Sequence, residues 1–258
     1  MEKSVLRFRN AIVRRPAENF ATGLTSAELG AADYALMQIQ HQAYIGAICD
    51  AGLDVQVLEA EPQYPDAHFV EDAAVVMPEI AVISRPGAEA RRGEAELIEP
   101  ALAVHRSIAH IEAPGTLDGG DVLQIGKAVF IGVSARTNES GARQLETLLS
   151  GYGYRCTLIP LTHTLHLKSV LNAVGSTTVV VAEELAAHGA IDGYEKIVVS
   201  PEEAYAANLL RINDRLLMAK GFPKLRENLD ATGLEVVALD MSEVRKMDGG
   251  LTCLSLRF

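Results

Sequence analysis

The sequence predicts an α/β fold in which five ββαβ units, a cyclic repeat, are arranged propeller-fashion around one axis. Three observations carry this reading. A strand, strand, helix, strand pattern recurs along the 258 residues, the polar residues that open each unit are evenly spaced, and the two ends of the chain supply complementary parts of one unit. A unit of about 50 residues cannot bury its own apolar face, so such units must pack against one another around a shared core.

The first unit opens on Glu71-Asp72, turns at Met77-Pro78-Glu79 and runs to Ile83. A polar loop, Ser84-Arg85-Pro86-Gly87, then leads to a helical stretch from Gly93 to Leu102 and a closing strand from Ala109 to Glu112. The second opens on Gly120-Asp121 and turns at Gly126-Lys127. Ser134 to Asn138 form its loop, Gly141 to Leu149 its helix and Arg155 to Pro160 its closing strand. His166 opens the third, with Val170 to Val174 and Thr178 to Ala182 as a hairpin. Asn208 opens the fourth, which turns at Asn213-Asp214 and continues through Gly221-Phe222-Pro223 into a helix from Lys224 and a strand from Leu234 to Leu239. The fifth is split: Leu251 to Phe258 pairs with Asn10 to Arg14, followed by a helix around Ala32 to Ala51 and a strand from Asp54 to Leu58.

No Gly/Ser/Pro-rich linker divides the chain, so residues 1–258 are expected to form a single catalytic domain. A net charge of −11 argues against nucleic acid and suits a cationic small molecule. The apolar runs are strand-sized, which excludes a membrane span, and Met1-Glu2-Lys3-Ser4-Val5-Leu6-Arg7 has no apolar stretch behind it, so no signal peptide is expected. A cytoplasmic protein follows, with a homodimer as the commonest assembly. The three cysteines contain no CxxC pair, so neither a disulfide framework nor structural zinc is indicated.

The opening residues Asp72, Asp121, His166, Asn208 and Cys253 recur at intervals of 42 to 49 positions. Equivalent positions in a cyclic array point toward the same axis, which gathers carboxylates, a histidine and a cysteine into one cleft. Cys49 and Cys156 lie in apolar-periodic stretches and read as core fillers. Cys253 also lies in a strand-like stretch, but the loop Met247-Asp248-Gly249-Gly250 ahead of it can bring backbone close to a ligand. His163 and His166 lack further ligands nearby, so no metal is expected. Strand alternation puts His166 on the side of Lys168, leaving His163 outside the repeat. Asp118-Gly119-Gly120-Asp121 is a turn in the bland reading and a site element in the other. The doublet Arg91-Arg92 reads as a solvated helix start.

At Asp66-Ala67-His68-Phe69-Val70-Glu71-Asp72, Ser84 to Glu89 with Arg91-Arg92-Gly93-Glu94, Thr116 to Leu123, Ile131 to Asn138, Leu165 to Ser169 and Met247 to Cys253, the sequence resembles the dimethylarginine dimethylaminohydrolases of the guanidino-group-modifying superfamily. The resemblance runs from about Ile12 to Phe258 and implies the five-bladed α/β-propeller, or pentein, fold. It implies Cys253 as nucleophile, His166 as general acid/base and Asp118 as its carboxylate partner, where some members have Glu. It places Asp66, Glu71 and Asp72 around a guanidinium, with Phe69 in the same substrate-contacting segment. Arg91 and Arg136 would hold the amino-acid end, Leu24 would belong to a mobile lid, and Met247 would offer a backbone contact. The implied reaction turns a methylated arginine into citrulline and a methylamine without metal or organic cofactor. An arginine or agmatine deiminase, and a non-catalytic protein on the same propeller, are the alternatives. The first is typically longer, the second has no use for Arg91 and Arg136, and the third would have lost the Cys/His/acid set.

Overall fold

A computed structural model describes residues 7–258. Its elements, in chain order, are β1 (Asn10–Arg14), α1 (Tyr34–Asp50), β2 (Asp54–Leu58), β3 (Ala74–Val76), β4 (Ile80–Ile83), α2 (Arg92–Ala103) and β5 (Ser107–His110). Then come β6 (Val122–Ile125), β7 (Ala128–Val133), α3 (Glu139–Ser150), β8 (Arg155–Pro160), β9 (Leu171–Ala173), β10 (Thr178–Ala182) and β11 (Glu195–Val199). The chain ends with β12 (Leu210–Ile212), β13 (Arg215–Ala219), α4 (Pro223–Asp230), β14 (Glu235–Leu239), α5 (Ser242–Lys246) and β15 (Leu256–Arg257). No helix among the described residues is long and apolar enough to cross a membrane.

The strands form five three-stranded sheets, ordered β3-β4-β5, β6-β7-β8, β9-β10-β11, β12-β13-β14 and β15-β1-β2. In each, the first pair is antiparallel and the second parallel. The fifth sheet joins the two ends of the chain, with Ala11 opposite Arg257 and Ile12 opposite Leu256. This is the five-bladed propeller.

The middle strand of each blade is covered on both faces, and its sequence says why. Ile80-Ala81-Val82-Ile83 is apolar without alternation and fully buried, as a strand flanked on both faces must be. Outer strands alternate instead, and β2 (Asp54-Val55-Gln56-Val57-Leu58) shows more of itself to solvent. The helices start where polar side chains can hold their free N–H groups. Asn138 accepts from Gly141 N–H at 2.8 Å to open α3, and Asp33 accepts from Leu36 N–H at 2.7 Å to open α1.

Several details differ from expectation. The third blade has no α-helix; short 3-10 turns at Glu183–Leu185 and Gly189–Ile191 replace it, because Gly189 and Gly193 interrupt a stretch too short to propagate. Its first strand shortens to β9. The stretch Leu251 to Phe258 is not one strand: Thr252–Leu254 coils into a 3-10 turn and only Leu256–Arg257 pairs. The closing strand of the first blade begins two residues early, at Ser107. Cys49 is exposed, not a core filler, and Cys156 is half-buried. The cause is α1 itself, which is apolar on every side, so that Ile39 stands 66% exposed while Tyr44 and Ile48 are buried.

Candidate active site

Each blade's opening residue sits in or beside a 3-10 turn at the mouth of its first strand, and the turns meet near the axis. The repeat period is visible there as hydrogen bonds between neighbouring blades. Asp72 Oδ1 accepts from Gly120 N–H at 3.0 Å, Asp121 Oδ1 from Leu167 N–H at 2.9 Å, and Asn208 Oδ1 from Thr252 N–H at 3.1 Å. Asp121 and Asn208 therefore brace the backbone beside His166 and Cys253, whereas Asp72, His166 and Cys253 face the cleft. Gly119-Gly120 is more than a turn. A Cβ on Gly120 would lie 2.8 Å from both Asp72 Oδ1 and His166 Nδ1, so only glycine lets the two approach.

A narrow chamber of about 30 Å³ gathers nine of the expected residues: Leu24, Asp66, Phe69, Asp72, Arg91, Arg136, His166, Met247 and Cys253. The other two lie behind it. Asp118, fully buried, accepts from His166 Nε2 at 3.0 Å and from Gly87 N–H at 2.9 Å. Glu71 Oε1 is bound by Lys168 Nζ at 2.7 Å and Arg257 Nη2 at 2.8 Å, and its Oε2 is buried without a partner. Glu71, Lys168 and Thr252 separate the chemistry from a second cavity of about 160 Å³ on the axis, walled by the first strands of the blades.

Arg91 is not a solvated helix start. It is 5% exposed, and Asp72 at 2.6 Å and Glu94 at 2.8 Å neutralise it. Nε donates to Glu94, Nη1 to Asp72, and Nη2 to Glu94 and the carbonyls of Asp66 and Phe69. Of its five N–H groups almost none remains for a ligand. Arg136 is freer, with Nη1 3.9 Å from Asp118 and its side chain one-fifth exposed. Asp66 accepts from Leu24 N–H with both oxygens, at 3.2 and 3.0 Å, tying the segment over the chamber to its wall.

Charge is distributed unevenly. Burial would lower His166, but the carboxylate of Asp72 and the hydrogen bond to Asp118 raise it to about 9. Burial would raise Asp72, yet the His166 imidazolium and the Arg91 guanidinium hold it down to about 2. Cys253 is pushed up to about 12 by burial, then by Glu71 and Asp72. The resting site is a thiol beside an imidazolium, enclosed by carboxylates. Asp72, Asp118 and His166 present atoms within 4.8 Å of one another, compact enough for a metal, but the Arg91 guanidinium already occupies one Asp72 oxygen.

His166 and Lys168 share a side, as expected, though through a 3-10 turn at Leu167–Ser169 and not through strand alternation. His163 is exposed and reaches a wider cleft adjoining the chamber. Sequence reasoning missed Asp248, which accepts from Ser26 N–H and from Ser26 Oγ (2.9 Å), and Tyr205, whose hydroxyl donates to Gly249 C=O at 3.0 Å. It also missed Arg257. Its register opposite Ala11 in the closing sheet was the available signal.

Known proteins share this fold and sequence. The family model described as N,N dimethylarginine dimethylhydrolase, eukaryotic, matches residues 31–255. The N(G),N(G)-dimethylarginine dimethylaminohydrolase of Pseudomonas aeruginosa is 40% identical over 97% of this chain and 100% of its own. That of Streptomyces coelicolor is 39% identical over 96% of each. A crystal structure of a cysteine-to-serine variant of the Pseudomonas protein with citrulline superposes with a TM-score of 0.96, at 39% identity, over 98% of this chain and 100% of that one. An arginine dihydrolase domain from cyanobacteria shares the fold at a TM-score of 0.86 and 18% identity, over 96% of this chain and 97% of that one. With 97% of its length matched at 40% identity, the chain belongs to the dimethylarginine dimethylaminohydrolase family.

Proposed function

We propose that the protein hydrolyses Nω-methylated arginine to citrulline and a methylamine, through a covalent bond between Cys253 and the guanidinium carbon. The observation that carries this is the chamber itself: Cys253 and His166 share it with Asp72, and burial together with the carboxylates of Glu71 and Asp72 pushes the thiol up, so that a bound cation is needed to lower it. A guanidinium is such a cation. On entering beside Asp72 it would be gripped by charge-assisted hydrogen bonds, each worth about 1.5–3 kcal/mol, and would make thiolate formation favourable where attack is needed. The relatives from Pseudomonas and Streptomyces, named for dimethylarginine, support the same substrate class.

Attack forms an S–C bond as the thiol gives up its proton to solvent. His166, already protonated and oriented by Asp118, gives its proton to the substituted nitrogen, which leaves as amine. Neutral imidazole then takes a proton from water as the water adds to the same carbon, and the S–C bond breaks to release citrulline. Arg136 is assigned the substrate carboxylate, Asp66 its ammonium group, and Arg91 the placement of Asp72. No step needs a metal or organic cofactor.

Incubation with asymmetric dimethylarginine, arginine and agmatine together, followed by mass spectrometry, tests the reading. Citrulline and dimethylamine are expected, with arginine and agmatine unchanged. Release of ammonia from arginine instead would sink it.

A further inference from the structure

Two cavities meet at the reactive pair, and the function proposed above, on which this inference rests, uses only one of them. Leu165, His166, Asp248, Gly249 and Cys253 line both the narrow chamber and a wider cleft of about 360 Å³. The narrow chamber carries Arg136 and Asp66, the groups assigned to the charged head of the amino acid. The cleft carries none of these. Leu29, Val170, Ala204 and Tyr205 supply apolar wall there, with Tyr205 fixed by its bond to Gly249 and by the Arg245 guanidinium 4.7 Å above its ring.

A guanidinium carbon bears three nitrogens. One leads back to the amino-acid head, and one must lie within reach of His166 as it departs. The narrow chamber carries the groups assigned to the head, and His166 and Cys253 stand on the side that it shares with the cleft. His166 also faces the cleft, which is roughly tenfold larger by the same measure. We infer that the wide cleft seats the nitrogen substituent and the departing amine, and that it admits Nω-alkyl groups larger than methyl. The reaction balances identically for any such group: the thiol proton passes to solvent as the S–C bond forms, the C–N bond breaks as His166 protonates the amine, and one water returns one proton to His166 and one to sulfur while its oxygen stays on carbon. Substituent size therefore acts through fit alone.

Steady-state kinetics of the full chain with Nω-methyl-, Nω-ethyl- and Nω-propyl-arginine, read as citrulline, test this. The propyl compound is expected to keep kcat/KM within about tenfold of the methyl compound, a span set by the modest discrimination of apolar pockets. A larger drop overturns the inference. Ala204→Phe, which narrows the cleft from the 3-10 segment Pro201–Ala207, should lower kcat/KM for propyl at least about tenfold more than for methyl. Equal losses would place the substituent elsewhere. Should that variant not fold, Ser169→Leu enters the same cleft from the third blade and is expected to give the same split. Citrulline from the methyl compound without any from propyl defeats this inference alone. Citrulline from none defeats the proposed function.

Discussion

At Cys253 and His166 the resting protonation states are the reverse of those needed for a free thiolate to form spontaneously. Burial, Glu71 and Asp72 push the thiol up to about 12, while Asp72 and Asp118 raise the imidazole to about 9. Without substrate, Cys253 should therefore be a poor nucleophile at neutral pH. Iodoacetamide at pH 7.5 is expected to modify exposed Cys49 first, and the rate at Cys253 should still be climbing above pH 9. Peptide mapping by mass spectrometry checks it, and fast alkylation of Cys253 with a plateau below pH 8 would contradict the charge picture. The two arginines divide in the same way. Arg136→Ala should raise KM for methylarginine about tenfold or more while the fold survives. Arg91→Ala leaves Asp72 and Glu94 buried without their cation, at a cost of about 3–5 kcal/mol, and should show first as a lower Tm. Calorimetry beside kinetics separates them; a thermally intact Arg91→Ala with only KM changed would return Arg91 to the substrate carboxylate. The burial of Arg91 was not legible from Arg91-Arg92, because what draws it inward is Asp72, nineteen residues away in another element.

Between elements, the segment over the chamber is fastened mainly to the loop that carries the nucleophile. Thr25 Oγ1 donates to Lys246 C=O at 2.9 Å, Ser26 donates twice to Asp248, and Asp33 N–H reaches Glu243 Oε2 at 2.7 Å. Asp248 holds a left-handed backbone, φ 57°, which Asn also tolerates. Asp248→Asn therefore keeps the loop geometry and removes the charge from the latch. It should raise KM by roughly threefold to tenfold, the loss of about 1 kcal/mol for a charge-assisted bond made neutral. It should also speed hydrogen exchange at the amides of Leu24 to Leu29. Unchanged exchange would mean that Asp66 and the bonds of Thr25 and Asp33 hold the segment without Asp248. A lid was legible in the sequence only through resemblance at Leu24, since nothing in the local pattern joins Ser26 to a residue 222 positions on. Helices α1 to α4 and strands β8 and β14 were legible within a residue or two because periodicity is local, whereas α5 and β11 were not read. The 3-10 turn at Thr252–Leu254 was not, because it follows from contact with Asn208.

Across the whole molecule, the even spacing of polar residues was read as convergence on one cleft, and only part of it is that. Asp72, His166 and Cys253 converge, while Asp121 and Asn208 use the same positions to stitch one blade to the next. Equal intervals encode the blade repeat, and chemistry occupies some of the repeated positions. Asn208 accepts from Thr252 N–H at 3.1 Å and donates to Thr252 Oγ1 at 3.1 Å and Lys168 C=O at 3.0 Å. Lys168 C=O keeps a second donor, Asn172 Nδ2 at 2.7 Å, so Asn208→Ala would strand chiefly the buried Thr252 N–H. Leaving one such donor unmade costs about 1–3 kcal/mol. For a chain of this length each kcal/mol lowers Tm by roughly 2–4 °C, so a fall of roughly 2–12 °C is expected by calorimetry. The freed Thr252 N–H is adjacent to Cys253, so kcat should fall with Tm while KM for methylarginine shifts little, because Asn208 borders the wide cleft and not the chamber that takes the amino-acid head. An unshifted Tm would mean that the bond between the fourth and fifth blades is replaceable by water. A rise in KM with kcat intact would mean that Asn208 acts on the substrate from the cleft wall and not through the seam.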